Sequence, residues 1–281
     1  MKIAGFKVFE ENENSTGFVT AYLHDVIEEM AGREDEFEKG YRDAYPVMVL
    51  CPGGAYRFTS EREWDPVALE YLQAGYNVFI LDYSVGEKAK GFMPLMELSQ
   101  TIIRIRENAE AWHCDHHRVA VIGFSAGGHL AASAAILWNN ERLKAVFDTK
   151  GGLNRPDAAV LCYPVITADE HAHVESIEYV SGAREGTEEY RWFSLDRHVD
   201  GETAPVFVWH TAEDDCVPVE NTIKLISALQ KNGVKYECHI FPSGGHGMSV
   251  CSHETASFSG HNSQWIELSK MWLKETLGFE K

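Results

Sequence analysis

Residues 119 to 128 read Val119-Ala120-Val121-Ile122-Gly123-Phe124-Ser125-Ala126-Gly127-Gly128, and the helix-forming Leu130-Ala131-Ala132 follows almost at once. A short, continuous apolar run of this kind makes a strand buried on both faces. A Gly-x-Ser-x-Gly element between such a strand and a helix is a sharp turn that holds its serine clear of the sheet. The flanking glycines matter because a side chain at Gly123 or Gly127 would collide with neighbouring backbone. Ser125 is therefore a candidate nucleophile at the carboxyl end of a buried strand.

The same alternation of strand and helix extends from residue 46 onward. Val47 to Leu50, Val78 to Leu81, Val119 to Ile122, Ala158 to Cys162, Val206 to Trp209 and Tyr236 to Phe241 are six short apolar strands. Between them, Trp64, Val67, Ala68, Tyr71 and Leu72 recur at helical spacing, started by Asp65-Pro66 and stopped by Gly75. Leu95, Leu98, Ile102, Ile105, Ala109 and Trp112 predict a second helix, and two more are expected over about 221–231 and 263–277. Phe6 to Phe9 and Phe18 to Leu23 read as an antiparallel edge. The pattern predicts an α/β fold: a mainly parallel sheet of about eight strands with helices on both faces. The charged stretch Glu28 to Asp43 reads as a solvated loop.

The length of 281 residues suits a single domain spanning 1–281, with a full core. A formal charge of −18 would repel nucleic acid and anionic membrane, so neither is expected as a partner. Met1 to Phe9 lacks the apolar core of a targeting segment, and no apolar run approaches the ~20 residues of a membrane span. Six cysteines without a CxxC pair read as reduced thiols. A cytoplasmic protein is expected.

A serine hydroxyl is a poor nucleophile at neutral pH. It needs a histidine to take its proton and a carboxylate to hold that histidine. Both are available after later strands, where an open parallel sheet assembles its site. Trp209 to Pro218 follows the fifth parallel strand and carries Glu213, Asp214 and Asp215; Phe241 to Met248 follows the sixth and carries His246 between glycines. Asp214 is favoured as the acid because it stands shortly before Val217-Pro218, where the next helix begins, with Asp215 in reserve. Acyl attack builds negative charge on oxygen, which backbone N–H groups must meet. One donor is expected at Ala126, the residue after the serine. The other is expected at Ala55 in the loop Cys51-Pro52-Gly53-Gly54-Ala55-Tyr56, with Gly54 beside it.

His113-Cys114-Asp115-His116-His117 has the look of a metal cluster, but it precedes the strand that ends at Ser125. About five residues at ~3.3 Å each put it at the opposite edge of the sheet, and no metal site is expected. His129, on the helix after Ser125, reads as a packing histidine. The long interval Pro164 to Thr203 reads as a small cap over the strand ends, and its Tyr190 and Trp192 suit a polar alcohol such as a sugar. Tyr56 and Trp192 are the expected substrate contacts.

Five stretches in order, Cys51 to Tyr56, Ser60-Glu61-Arg62-Glu63, Gly123 to Leu130, Trp209 to Asp215 with Val217-Pro218, and Gly245-His246-Gly247, resemble the microbial α/β-hydrolase esterases related to acetyl xylan esterases. The resemblance implies an α/β-hydrolase fold, removal of short acyl groups from sugars or small esters, and neither metal nor organic cofactor. It implies the triad Ser125, Asp214 and His246, with Ala55 and Ala126 as oxyanion donors. Pro52 and Ala55 depart from the His-Gly-Gly-Gly of many esterases. An amidase or peptidase on the same triad, or a binding protein that has kept the fold, is the alternative. A homodimer through an exposed edge is a further expectation for such folds.

Overall fold

The computed structural model describes residues 1–26 and 44–279; the charged stretch Glu28 to Asp43 lies outside the described residues. Among the described residues eight strands form one sheet: β1 (Lys2–Lys7), β2 (Phe18–Leu23), β3 (Tyr45–Cys51), β4 (Asn77–Asp82), β5 (Cys114–Phe124), β6 (Ala158–Cys162), β7 (Val206–Thr211) and β8 (Tyr236–Phe241). Their order is β1-β2-β4-β3-β5-β6-β7-β8. β2 is antiparallel to both β1 and β4, and β3 to β8 are parallel. The helices are α1 (Asp65–Gln73), α2 (Met93–Glu107), α3 (Ala126–Leu137), α4 (Glu141–Lys144), α5 (Val174–Ser181), α6 (Glu188–Trp192), α7 (Glu220–Lys231) and α8 (Gln264–Leu277). Among the described residues no helix is long and apolar enough to cross a membrane.

The apolar runs belong to strands covered on both sides. Alternate side chains of β3, β5, β6 and β7 (Val49, Val121, Leu161, Val208) join α2, α3 and α7 in one core. The intervening ones (Leu50, Ile122, Val160, Trp209) join α1 and α8 in the other. Each is fully buried and contributes roughly 1.5–3 kcal/mol relative to exposure, so β5 is fixed tightly before any site is built at its end.

The strand order also positions the site. From β3 the chain steps outward to β4 through α1, then returns through α2 on the other face to β5 on the far side of β3. The order reverses between β3 and β5, and a crevice opens at the carboxyl ends of two such strands. Cys51 pairs with Gly123 in register there. The loop carrying Gly53 and Gly54 therefore emerges beside the turn carrying Ser125.

Two elements differ from the sequence reading. β1 covers Lys2–Lys7 rather than Phe6 to Phe9, because an exposed edge strand is set by its pairing, here Lys2 with Leu23 through Lys7 with Phe18, and not by its own apolarity. α2 stops at Glu107, where the Asn108 side chain bonds the Arg104 carbonyl. Its apolar repeat continues in packing without helix: Ala109 is buried and Trp112 stacks on Phe6 at 5.4 Å.

Candidate active site

Ser125 joins β5 to α3 with φ 53° and ψ −116°, a conformation that costs a non-glycine residue on the order of 1–3 kcal/mol. Its surroundings hold it there. Its N–H donates to the Cys162 carbonyl at 3.0 Å, and its carbonyl accepts from His129 and Val165, each at 3.1 Å. A Cβ at Gly123 would lie 2.0 Å from the Gly127 carbonyl oxygen, and one at Gly127 would lie 2.1 Å from that of Cys51. Both positions require glycine, because the first turn of α3 is pressed against the ends of β5 and β3.

The structure brings Ser125, His246 and Asp214 together. His246 Nε2 lies 2.8 Å from Ser125 Oγ, and His246 Nδ1 lies 2.7 Å from Asp214 Oδ2. A carboxylate only accepts, so Nδ1 carries the proton and Nε2 of the neutral ring is free to accept from the hydroxyl. Asp214 Oδ1 accepts from the N–H groups of Cys216 (3.0 Å) and Val217 (2.9 Å). Glu213 and Asp215, on either side, are exposed. Burial would push the Asp214 carboxyl up. Hydrogen bonds from His210 and His246, the His246 charge and the Val217 N–H outweigh it and hold the group well below the usual carboxylate range.

His210, to which the sequence analysis gives no role, supports the acid. It is fully buried at the end of β7, with Nε2 facing both the Val217 carbonyl (2.9 Å) and Asp214 Oδ2 (3.3 Å). Nε2 must therefore carry its proton, and Nδ1 accepts from the Thr222 hydroxyl at 2.8 Å. The available signal was the polar pair His210-Thr211 closing an otherwise apolar strand.

Beside Ser125 lies a cavity of about 240 Å³ lined by Gly53, Gly54, Ala55, Ser125 and His246, together with Arg57, Phe58, Ser60, Arg62, Glu63, His173, Glu175, Cys216 and Gly247. Gly54 (φ 130°), Ala55 (φ 57°) and Tyr56 (φ 58°) take the loop through left-handed backbone, which turns it along the cavity wall. Ala126 opens α3, so its N–H has no carbonyl one turn back. Among the described residues neither the Ala55 nor the Ala126 N–H donates to a protein group.

The expected substrate contacts at Tyr56 and Trp192 are corrected by their placement. Tyr56 is 1% exposed; its hydroxyl donates to His129 Nδ1 at 3.0 Å and its ring packs on Tyr83. Trp192 packs edge-on against Phe92 at 5.1 Å and under the Arg142 guanidinium at 4.3 Å, away from the cavity. Tyr190, also in that interval, is buried in the core. From the same interval it is His173 and Glu175, at the start of α5, that reach the cavity. Aromatic character in a cap does not distinguish a wall from a core, because both bury rings.

His129 is fully buried, with Nε2 donating to the Phe193 carbonyl at 3.0 Å. Burial pushes its imidazole down to about 4, against the opposing pull of that carbonyl. The 113–117 cluster opens β5, at the far end of the strand from Ser125.

Residues 37–229 match the BD-FAE family. The chain belongs to the BD-FAE family. A match to the dienelactone hydrolase family covers residues 196–277 of this BD-FAE chain. It is 33% identical over 265 residues to Endo-1,4-beta-xylanase B of Butyrivibrio fibrisolvens, covering 90% of this chain and 39% of that protein. It is 28% identical over 237 residues to an acetylxylan esterase of Xylanibacter ruminicola, covering 81% of this chain and 45% of that one. The chain thus spans less than half the length of either. Among solved structures, MGS-M1, an alpha/beta hydrolase from a Medee basin deep-sea metagenome library, is 32% identical with a TM-score of 0.77, covering 99% of both chains. An acetyl ester-xyloside bifunctional hydrolase from Caldicellulosiruptor lactoaceticus is 30% identical with a TM-score of 0.79, covering 99% of this chain and 97% of that one. The fold is that of the α/β hydrolases.

Proposed function

We propose that this protein is a serine ester hydrolase that removes short acyl groups, acetyl above all, from carbohydrate esters. The observation that carries the reading is the continuous hydrogen-bonded chain from Ser125 Oγ through His246 to Asp214, opening on a cavity walled by a glycine-rich loop. In this mechanism Ser125 Oγ attacks the ester carbonyl while His246 Nε2 takes its proton. Asp214, already ionised, steadies the imidazolium. Ala55 and Ala126 N–H meet the charge on the carbonyl oxygen, with Gly54 letting the loop approach. His246 then returns the proton to the leaving alcohol. Water, deprotonated by the same ring, releases the acid from Ser125.

Two features support a short acyl group on a polar alcohol. The cavity of about 240 Å³ is smaller than the roughly 300–1,000 Å³ typical of pockets for drug-sized ligands. Its lining includes Arg57, His173 and Glu175, which suit hydroxyl groups better than an alkyl chain. The acetylxylan esterase and the acetyl ester-xyloside hydrolase among its relatives favour an acetylated sugar. We read 164–203 as a cap inserted in one hydrolase domain, and the six free cysteines fit a reducing, cytoplasmic setting. A panel of p-nitrophenyl esters of increasing acyl length, acetylated xylo-oligosaccharides and matched N-acetyl amides tests the proposal. Turnover that falls with acyl length and is absent on amides is expected. Faster hydrolysis of the amides would move the protein to the amidases.

A further inference from the structure

Ser60 to Glu63 was singled out in the sequence, yet the reaction above gives it no task. The segment leads into α1, far along the chain from Ser125 and His246. Its Glu63 is 2% exposed, and both carboxyl oxygens are used. Oε2 accepts from the Gly53 N–H at 2.7 Å, and Oε1 accepts from the Tyr163 hydroxyl at 2.7 Å. Tyr163 in turn accepts from the Ser249 N–H at 2.8 Å, and its ring stands edge-on to His246 at 5.1 Å.

We propose that Glu63 is a positioning residue that locks the loop after β3, which presents the Ala55 oxyanion donor, to the loop after β8, which carries His246. The inference rests on the esterase reading of those two loops.

The rest of the segment makes the same connection. Ser60 N–H donates to the Gly53 carbonyl at 2.9 Å, so both polar groups of Gly53 are held from 60–63. Arg62 donates to the Gly247 carbonyl at 2.6 Å, and the Arg62 carbonyl accepts from the Ser249 hydroxyl at 2.6 Å. Gly53 also separates the carboxylate from the nucleophile: a Cβ there would lie 2.8 Å from Glu63 Oε2 and 3.1 Å from Ser125 Cβ. Burying a carboxyl is costly, and burial does push Glu63 up. One oxygen holds the loop after β3 directly, and the other reaches the loop after β8 through Tyr163, which follows β6 and accepts from Ser249. A carboxylate makes stronger bonds than a neutral acceptor, and it receives both the Gly53 and the Tyr163 protons. Glutamine has only one acceptor oxygen for these two donors, so either the Gly53 N–H or the Tyr163 hydroxyl proton is left facing its NH2 group and unpaired.

The test compares Glu63→Ala, Glu63→Gln, Tyr163→Phe and the Ser125→Ala control on p-nitrophenyl acetate. Melting temperature and the affinity for phenylboronic acid, which adds to the serine as a tetrahedral mimic, are measured alongside. A displaced loop weakens the transition state more than the bound ester. Glu63→Ala is expected to lower kcat about 100-fold, with KM within about threefold and boronate affinity falling in step. Glu63→Gln and Tyr163→Phe, each breaking one arm, are expected to lose roughly tenfold in kcat. If Glu63→Ala does not fold, the glutamine variant carries the test. Folded Glu63 variants with kcat within about twofold of the parent, or with the loss in KM and boronate affinity unchanged, would overturn the inference. Turnover surviving in Ser125→Ala would instead remove the esterase reading itself.

Discussion

The two ends of β5 carry the densest chemistry in the chain, and they are built in opposite ways. At its start, Asp115 pairs with Arg118 at 2.8 Å and caps the His117 N–H at 2.9 Å, while His116 and His117 stand exposed. At its finish, Ser125 and His129 are buried and bonded to groups from other elements: Ser125 to His246, itself held by Asp214, and His129 to Tyr56 and the Phe193 carbonyl. Residue type alone favours the first end, with three histidines, a cysteine and an aspartate in five positions. Convergence favours the second, because the loops after β3, β5, β7 and β8 meet there. A reactive group acquires its properties from partners that fix its tautomer and charge, and local interactions along one strand do not supply them.

Substitutions can sharpen or break this contrast. The largest effect is expected from Ser125→Ala: hydrolysis of p-nitrophenyl acetate should fall on the order of 10⁵–10⁶-fold with the melting temperature retained, and labelling by a fluorophosphonate should vanish. Asp214→Asn should lower kcat about 10⁴-fold, since it removes the group that sets the His246 tautomer. Asp215→Asn, at an exposed site, should stay within about twofold. Equal losses in the two asparagine variants would show that the shared turn matters and not the hydrogen bond.

A smaller effect concerns stability against pH. His129 binds its proton near pH 4 when folded and near 6.5 when unfolded. Between those values the unfolded chain takes up the proton first, so its contribution is complete above pH 6.5 and is lost as pH falls toward 4. The loss amounts to about 3 kcal/mol at most. His129→Gln should flatten that part of a denaturation-against-pH curve, and an unchanged slope would show that another group sets it. The smallest effect is expected from His116→Ala with His117→Ala at the other end of β5. Neither activity nor stability should shift by more than about 0.5 kcal/mol. A marked loss of activity there would break the contrast between the two ends.

Much of the architecture was legible because it follows from periods and punctuation. The strand from Val119 to Ile122, the glycines at 123 and 127, and the placing of Asp214 and His246 after successive strands are all local signals whose geometry a parallel sheet converts into proximity. Tyr56 and Trp192 were misread because a ring beside a pocket and a ring in a core have the same local sequence. Glu63 with Tyr163, 100 residues apart, and Tyr163 with Ser249, 86 apart, left no periodic trace. Such pairs depend on where separate loops come to rest.

The sequence by itself determined the order of strands and helices and the sharp turn at Ser125, since burial periodicity and the steric demands of glycine act within a few residues. Only the tertiary structure decided which of three adjacent carboxylates lies against His246. It also decided which polar groups are buried in company, as Glu63 and His210 are. The reason is physical: a buried charge or hydrogen bond is set by the partners and the water around it, and those are brought by distant parts of the chain.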